Sequence, residues 1–287
     1  MKVVIVGGVA GGATAAARIR RLDEQAEITV FERSGYISYA NCGLPYYIGD
    51  VITDAEELTL QTPESFYERF RVDMKVRHEV TAILPEEHCV RVKDLETGAE
   101  FEEPYDKLLL SPGARPTQPR LQGTDLSRVF TLRTVEDTMR IKDYVNRNKP
   151  RSAVLAGGGF ISLELAENLR HLGMDVTVVQ RPMQVMNPFD PEMAAFIHGA
   201  LRKGGVQLAL GQTVEGFQPG ADGAIEVLLK GAAPLRADMV VLAIGVSPDT
   251  ALAKDAGLEL GLKGTILVND RMETSVLLSR ECDILPF

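Results

Sequence analysis

Two stretches of the chain, residues 2–31 and 152–179, share one order of hydrophobic and polar positions. Each opens with a short apolar run, the pattern of a strand buried on both faces of a parallel sheet. A glycine-rich turn, a helix rich in Ala or Leu and a second apolar strand follow in both. This order is the beginning of a Rossmann unit, so the sequence predicts an α/β protein with two Rossmann-like, three-layer domains.

The first glycine turn covers residues 7–12, and each part of it has a physical task. Gly7 permits the turn, Gly12 lets the helix pack against the strand, and the helix N-terminus offers free N–H groups to a pyrophosphate. Val9 replaces the middle glycine of the G-x-G-x-x-G pattern. The second strand ends at Glu32, where a carboxylate can accept hydrogen bonds from an adenosine ribose. The candidate contacts to this dinucleotide are Gly7, Val9, Ala10, Gly11, Gly12, Glu32 and Arg33.

The second glycine turn covers residues 157–162 and has Ser162 in place of the third glycine. The strand after it ends in Gln180-Arg181 rather than at a carboxylate, which favours NADPH or relaxed specificity between NADPH and NADH. The alternative is that Arg181 is a solvated surface charge. The candidate contacts to this second dinucleotide are Gly157, Gly159, Phe160, Ile161, Ser162 and Arg181.

The segments around the second unit indicate that it is inserted into the first. Residues 78–104 have the pattern of a β-meander with a turn near 96–98, and a strand at 107–110 then ends in Ser111-Pro112-Gly113. A matching strand at 239–244 ends at Gly245. We count Ser111, Gly113 and Gly245 among the cofactor contacts. The predicted domains are the first part of one dinucleotide-binding domain at 1–115, the inserted domain at 116–239, and the second part of the first domain at 240–287.

Composition excludes several classes of partner. A net charge of −9 argues against nucleic acid, which needs clustered Lys and Arg, and no apolar run reaches the roughly 18 residues that span a bilayer. Cys42, Cys89 and Cys282 form neither a disulfide framework nor a zinc site, and the histidines are scattered, so we expect no metal centre and a reducing cytoplasm. Cys89 fits a strand residue, and Cys282 has no assigned role.

The segment 38–49, Ser-Tyr-Ala-Asn-Cys-Gly-Leu-Pro-Tyr-Tyr-Ile-Gly, follows soon after Glu32. With the first glycine turn, it resembles the pyridine nucleotide-disulfide oxidoreductases, and among them the single-cysteine coenzyme A-disulfide reductases and NAD(P)H sulfur reductases, over about residues 1–275. The resemblance implies FAD at the first unit, NADPH or NADH at the second, and Cys42 as the catalytic redox group beside the flavin. Many relatives have a second cysteine five positions later, where this chain has Tyr47.

The resemblance also implies a small-molecule disulfide substrate, coenzyme A disulfide or a related compound. By resemblance its site is lined by Thr14, Arg18, Arg21, Ser38 and Asn41. A solvated basic helix face is the alternative interpretation of the two arginines, which share one face of the first helix. Glu164 is expected near the flavin and nicotinamide, or else is an acid that favours the dipole of its helix.

Three functions remain open from the sequence. The first is coenzyme A disulfide reduction through a mixed disulfide at Cys42, and the second is polysulfide reduction or NADH oxidation through a persulfide or sulfenate there. Ala10, where oxidase and peroxidase relatives have histidine, favours the thiol chemistry. The third is a non-catalytic nucleotide-binding remnant, because the tail 276–287 departs from the family pattern. We expect no strand and no Gly-Asp there, and no domain like the one through which full-length relatives form homodimers.

Overall fold

The computed structural model describes residues 1–59 and 61–275 in full and the backbone alone of 284–286. The strands are β1 (Lys2–Val6), β2 (Glu27–Glu32), β3 (Asp73–Val76), β4 (His78–Leu84), β5 (Cys89–Asp94), β6 (Glu100–Pro104), β7 (Lys107–Leu110), β8 (Ala114–Pro116), β9 (Val129–Thr131), β10 (Ser152–Ala156), β11 (Asp175–Gln180), β12 (Gln207–Leu210), β13 (Val214–Pro219), β14 (Ile225–Leu229), β15 (Leu235–Ala237), β16 (Met239–Leu242), β17 (Val246–Pro248) and β18 (Ile284–Pro286).

The α-helices are α1 (Ala10–Leu22), α2 (Leu44–Ile48), α3 (Pro63–Phe70), α4 (Val135–Asn148), α5 (Phe160–His171), α6 (Pro191–Lys203) and α7 (Ala251–Asp255). Short 3-10 helices cover Asn41–Gly43, Ala55–Leu58, Pro85–Glu87 and Leu262–Gly264. Within these described ranges, we find no helix with the length and apolar character that crossing a bilayer requires.

The chain forms two compact units, the first made of Met1–Ala40, Thr59–Arg115 and Ser247–Phe287. Its parallel sheet has the strand order β18-β7-β1-β2-β3. The order reverses direction between β1 and β7, and ligands of open parallel sheets bind outside the carboxyl ends of the strands at such a point. The residues that follow β1 and β7 therefore lie where a dinucleotide site is expected.

The central strands of the first unit are buried on both faces, as their continuous apolar sequence predicts. Val4 packs with Phe31 and with the antiparallel sheet β4-β5-β6 on one face, whereas Ile5 packs with α1 and α3 on the other. Burying one such side chain contributes about 1.5–3 kcal/mol, so both layers are needed to keep the central strands in place. The arrangement is three-layered, with helices, parallel sheet and meander.

The second unit, made of Asn41–Leu58 and Pro116–Val246, repeats this plan. Its parallel sheet has the order β12-β11-β10-β16-β9, and the three-stranded antiparallel sheet β13-β14-β15 packs on one face through Phe217 and Val227. The α/β class with two Rossmann-like sheets, predicted from the sequence, is confirmed. The antiparallel sheet of this unit has no counterpart among the predicted elements, because its short strands carry no distinctive pattern.

The units differ from the predicted domains in two respects. Residues 41–58, which lie inside the predicted first domain, group with the second unit, and the second unit ends at Val246 rather than at 239. Short α2 packs against α4 and α5, and these tertiary contacts account for the grouping. The assignment of a particular dinucleotide to each domain stays a prediction.

The expectation that no strand follows residue 275 is wrong. β18 pairs parallel with β7, Ile284 with Leu108 through Pro286 with Leu110. β18 is the edge strand of the first sheet and lies next to β7. In the second sheet β9 has the corresponding edge position next to β16. The cause is the edge of β7, whose N–H and C=O groups are open to a further strand. Cys282, to which the sequence analysis assigned no role, lies outside the described part of the chain.

Candidate functional site

The first glycine turn joins β1 to α1 at the carboxyl edge of the first sheet. Gly7 has φ of +97°, and a Cβ there would collide with the carbonyl oxygen of Ser111 at the end of β7. A Cβ on Gly12 would collide with the carbonyl oxygen of Gly7. Both positions therefore exclude any side chain, because the turn, the helix and the neighbouring strand approach one another so closely.

The helices that follow the two glycine turns, α1 and α5, both begin without a capping side chain. Neither α1 nor α5 has a side-chain cap or an acidic residue in its first turn. The other described helices of eight residues or more, α3, α4 and α6, each have an acid there, and α3 and α4 are closed by capping boxes. The first N–H groups of α1, at Ala10 and Gly11, and of α5 therefore remain available to an anion such as a pyrophosphate.

Glu32 supports the first turn from the end of β2. Its carboxylate accepts hydrogen bonds from the backbone N–H groups of Gly8 and Ser34, both at 2.8 Å, and the residue is only 8% exposed. Arg33 beside it is half-exposed and binds Asp249 at 2.7 Å. Burial lowers the pKa of Arg33, but the hydrogen bond and charge of Asp249 outweigh it and raise the pKa overall. The carboxylate of Glu32 keeps free lone pairs for a ribose.

The second glycine turn repeats the first at matching positions. Gly157 has φ of +113°, and a Cβ would collide with the carbonyl oxygen of Ala243, just after β16. Gly159 has open space where its Cβ would be, so its backbone is accessible to a ligand. The Ser162 hydroxyl is buried without a hydrogen-bond partner among the described residues. Phe160, at 63% exposed, and the half-buried Ile161 begin α5. The turn fits a dinucleotide.

Gln180 takes in the second unit the position that Glu32 has in the first. Its side-chain oxygen accepts a hydrogen bond from the N–H of Gly158 at 3.1 Å. The amide therefore braces the turn as the carboxylate does, but without its negative charge. Arg181 next to it is exposed and has no ion pair among the described residues, so its guanidinium is available for a phosphate.

The loops after β7 and β16 complete the two sheet edges. Ser111 donates its N–H to the carbonyl of Val6 at 2.8 Å, and Gly113 has φ of +72°. Gly245 has φ of +123° and accepts the N–H of Thr117 at 2.9 Å. Each loop is thus placed at the carboxyl end of its own sheet, where a cofactor contact was predicted for Ser111, Gly113 and Gly245. Their contact with a cofactor stays a prediction.

Cys42 is an exposed free thiol in the 3-10 helix that precedes α2. Asn41 before it accepts a hydrogen bond from Arg133 at 3.1 Å. Tyr46 lies one helical turn further on. Its pKa is raised by burial and then by the negative charges of Glu164, Glu167 and Cys42, so the phenol stays protonated. Sequence reasoning missed Tyr46 as a neighbour of the thiol, although its spacing of four from Cys42 is the available signal.

Glu164 lies on α5, and burial followed by the charge of Glu167 raises its pKa. Glu164 lies beyond the first turn of α5, which holds no acidic residue. The electrostatic contact with Tyr46 links Glu164 to the Cys42 segment within the second unit. A position near a flavin and nicotinamide stays a prediction.

Four of the five predicted substrate contacts lie in the first unit. Thr14, Arg18 and Arg21 are all exposed on one face of α1, and no described residue forms an ion pair with either arginine. Arg20, by contrast, donates to the carbonyl oxygens of Phe70 and Arg71 and has a structural task. Ser38 has φ of +45° and donates its N–H to Gly8. Asn41 belongs to the second unit.

A cluster not seen in the sequence brings together Glu87, Cys89 and Glu102, whose ligand-type atoms lie within 4.8 Å of one another. Cys89 is the first residue of β5 and is buried. Its pKa is raised by burial and by both carboxylates, so the thiol stays protonated. The interpretation of Cys89 as a strand residue is confirmed by its place at the start of β5.

His198 on α6 holds the loop behind the second glycine turn. Its Nε2 accepts the N–H of Val185 at 3.1 Å, and the next residue, Met186, donates its N–H to Gly158 at 2.7 Å. Burial and then the charge of Arg202 lower the pKa of His198, so the neutral ring that accepts this bond is favoured in the folded protein.

Protonation of His198 is therefore expected to destabilise the fold at acid pH. Because the folded-state pKa lies below the unfolded value of 6.5, the contribution is fully present above pH 6.5 and is lost as the pH falls below it. Between pH 7.5 and 5.5, we expect the unfolding free energy of His198→Gln to fall by about 1 kcal/mol less than that of the unchanged protein. Urea unfolding of both proteins at the two pH values measures this, and equal losses would contradict it.

Two Rossmann-like sheets, each with a glycine turn and an uncapped helix at its switch point, define a protein that binds two dinucleotides. The chain belongs to the pyridine nucleotide-disulphide oxidoreductase family, whose model matches residues 1–277. The sequence-based recognition of this family is confirmed. The remaining comparisons concern particular members.

The chain is 37% identical over 275 residues to the coenzyme A disulfide reductase of Staphylococcus aureus strain JH9, covering 96% of this chain and 61% of that protein. The structure of reduced CoADR-RHD from Bacillus anthracis has a TM-score of 0.93 and 47% identity, covering 99% of this chain and 50% of that one. An NAD-dependent persulfide reductase from A. fulgidus has a TM-score of 0.92 and 35% identity, covering 99% and 52%. The chain thus spans about 61% of the curated relative's length.

Proposed function

We propose that this chain supplies the dinucleotide-binding part of an FAD-dependent NAD(P)H oxidoreductase that reduces coenzyme A disulfide, or a related low-molecular-weight disulfide, through Cys42. The observation that carries the proposal is the combination of two matching glycine turns with one exposed thiol, Cys42, whose segment has no second cysteine in its sequence. The likeness to a coenzyme A disulfide reductase supports the choice of substrate. The scarcity of cysteine suits a reducing cytoplasm.

The proposed chemistry at Cys42 uses this thiol without a partner cysteine in its own segment. The thiolate attacks one sulfur of the disulfide R–S–S–R, forms a Cys42–S–S–R mixed disulfide and releases one thiol after protonation. Two electrons from NAD(P)H and one further proton then cleave the mixed disulfide, release the second thiol and restore Cys42. The position five residues later is Tyr47, so no cysteine there can resolve the mixed disulfide.

The residues that would hold the cofactors are those of the two turns. Gly7 to Gly12 and Glu32 would hold FAD, and Gly157 to Ser162 with Arg181 would hold NADPH or NADH. When bound, FAD supplies the capacity to accept hydride from the nicotinamide and to deliver electrons to a thiol redox centre. The protein's part is to bind both dinucleotides by helix N-termini, and to present Cys42 at an exposed position.

Arg18 and Arg21 are proposed to bind the phosphates of coenzyme A. We expect Arg18→Ala combined with Arg21→Ala to raise KM for coenzyme A disulfide about tenfold. Each substitution removes a charge-assisted hydrogen bond to a phosphate of the substrate. Steady-state kinetics with cystine, which has no phosphate, is the control, and its KM should stay within twofold. An equal rise for both substrates would contradict the assignment and favour a solvated helix face.

Polysulfide or persulfide reduction is the second candidate, favoured by the structural likeness to an NAD-dependent persulfide reductase. It would use the same Cys42, with a persulfide in place of the mixed disulfide. Comparing turnover on coenzyme A disulfide, polysulfide and oxygen separates these reactions. A higher kcat/KM on polysulfide than on coenzyme A disulfide would replace the first candidate with the second.

The visible absorption spectrum of the purified chain, before and after anaerobic addition of NADPH, tests the whole proposal. Flavin bands that bleach with NADPH are expected if both dinucleotide sites are competent. A protein that stays colourless after FAD is added would overturn the enzymatic proposal for this chain. It would leave a nucleotide-binding remnant without redox activity.

A further inference from the structure

Lys142, in the middle of α4, is a charged residue in a place where lysine is uncommon. It is only 8% exposed, and its ammonium group lies among residues of the Cys42 segment. The Nζ atom donates to the carbonyl oxygen of Ile48 at 3.0 Å and binds the carboxylate of Asp50 at 2.6 Å. It also lies 5.8 Å from the centre of the Tyr47 ring. A buried ammonium is costly unless it is paired in this way.

The carbonyl that Lys142 binds belongs to the last residue of α2. The last carbonyls of a helix have no partner within it, and a cation at this end also matches the helix dipole. Lys142 therefore closes α2 at its C-terminal end from a different helix. Removing the ammonium would leave the carbonyl of Ile48 without this partner, and Asp50 without its counter-ion.

The N-terminal end of the same segment, at Asn41, is bound by Arg133, the residue just before the N-cap of α4. Arg133 donates to the side-chain oxygen of Asn41, the residue immediately before Cys42, at 3.1 Å. The backbone N–H of Arg133 binds Asp137 at 3.0 Å, which belongs to the capping box of α4. The guanidinium is thereby connected to a rigid helix start. Both ends of the segment 41–50 are thus attached to one helix.

Packing between the two attachments leaves the segment little room. Leu44 is 2% and Ile48 0% exposed. Gly49 lies so close to the side chain of Asn168 on α5 that a Cβ would collide with it. Cys42, near the start of this segment, is exposed. The segment is fixed while its thiol remains accessible, which is what a nucleophile attacking an external disulfide requires.

From this geometry we propose that Lys142 and Arg133 are positioning residues that hold the segment 41–50 on α4 and thereby fix the Cys42 thiol for reaction. The proposal rests on the proposed function in assigning the reaction to Cys42. Neither residue is expected to bind substrate or cofactor. Their effect is expected on the step in which Cys42 reacts, and not on the binding of dinucleotides.

Hydrogen–deuterium exchange of the full chain tests the attachment without any catalytic activity. The amides of Gly49, Asp50 and Val51 donate to carbonyls of α2 and report its C-terminal end. We expect Lys142→Met to speed their exchange about tenfold, because the hydrogen bond to Ile48 and the ion pair with the half-exposed Asp50 are both lost. Arg147→Met is the matched control, since it removes an exposed ion pair with Asp143 from the same helix. Unchanged exchange in Lys142→Met would overturn the proposal.

Kinetics then separates positioning from general destabilisation. Lys142→Met, and independently Arg133→Met at a half-buried site, are expected to lower kcat for disulfide reduction by about 10- to 100-fold, as a displaced reactive group does. Reduction of ferricyanide by NADPH, which does not need Cys42, should stay within twofold. Equal loss of both activities, or no loss of disulfide reduction, would overturn positioning. If the unchanged protein reduces no disulfide, the proposed function fails, and the exchange experiment still decides the attachment.

Discussion

Replacing Cys42 with serine is expected to lower disulfide reductase activity by at least about 10³-fold, the scale of loss when a nucleophile is removed. A serine hydroxyl is not ionised near neutral pH and does not attack a disulfide sulfur. The exposed position of Cys42, and the absence of a cysteine at position 47, leave no neighbouring thiol in the segment to take over. Initial rates with NADPH and coenzyme A disulfide measure the effect.

Cys89→Ala is the matched control, because Cys89 is the other free cysteine in the described part of the chain. It is buried in β5 with a raised pKa, so it is a poor nucleophile and its replacement should leave the rate within twofold. NADPH-dependent reduction of ferricyanide by Cys42→Ser should also persist. Full disulfide reductase activity in Cys42→Ser would remove both the mixed-disulfide and the persulfide mechanisms.

Replacing Gln180 with glutamate and Arg181 with alanine is expected to lower kcat/KM for NADPH by about 100-fold and to leave that for NADH within threefold. The arginine supplies charge-assisted hydrogen bonds worth about 1.5–3 kcal/mol, or roughly 10- to 100-fold, and the new carboxylate repels a 2′-phosphate. The side chain of Gln180 braces the N–H of Gly158, and a glutamate oxygen can accept the same bond. The turn itself should therefore survive the substitution.

The control for this experiment is Lys230→Ala, which removes one exposed cation from the same unit at the end of β14. It tests whether a change in overall charge alone weakens NADPH binding, and we expect kcat/KM to stay within twofold. Equal effects of the double substitution on NADPH and NADH would show that Arg181 is a solvated surface charge. They would also show that the missing carboxylate does not select the cofactor.

Much of the fold could be predicted because it is encoded locally. In each unit the apolar first strand, the glycines of the turn, and the acid or amide that ends the second strand lie within about thirty residues of one another. The positions of Gly7, Gly157 and Glu32 follow from spacing within one such unit, whereas the close approach of Ser111 to Gly7 and of Ala243 to Gly157 appears only in the folded sheets. Strand β18 and the sheet β13-β14-β15 could not be predicted, because short strands depend on the partner edge they meet.

The candidate site likewise has residues that the sequence predicted and contacts that only the structure shows. Cys42 was predicted as a candidate from the residues around it, and Arg181 from its place at a strand end. Sequence alone could not show that Gln180 repeats the hydrogen bond of Glu32, since a side chain's partner depends on the folded turn. Nor could it show that Arg33 pairs with Asp249, which lies 216 residues further along the chain.

The sequence by itself determined the α/β class and the two glycine turns, and it predicted the redox role of Cys42, because each depends on residues close in the chain. Only the tertiary structure decided how the cysteine segment is held. Lys142 and Ile48 are separated by 94 positions, and Arg133 and Asn41 by 92. No local pattern encodes such pairs. They exist because α2 packs on α4, and a buried cation is retained there when folding brings its carbonyl and carboxylate partners to it.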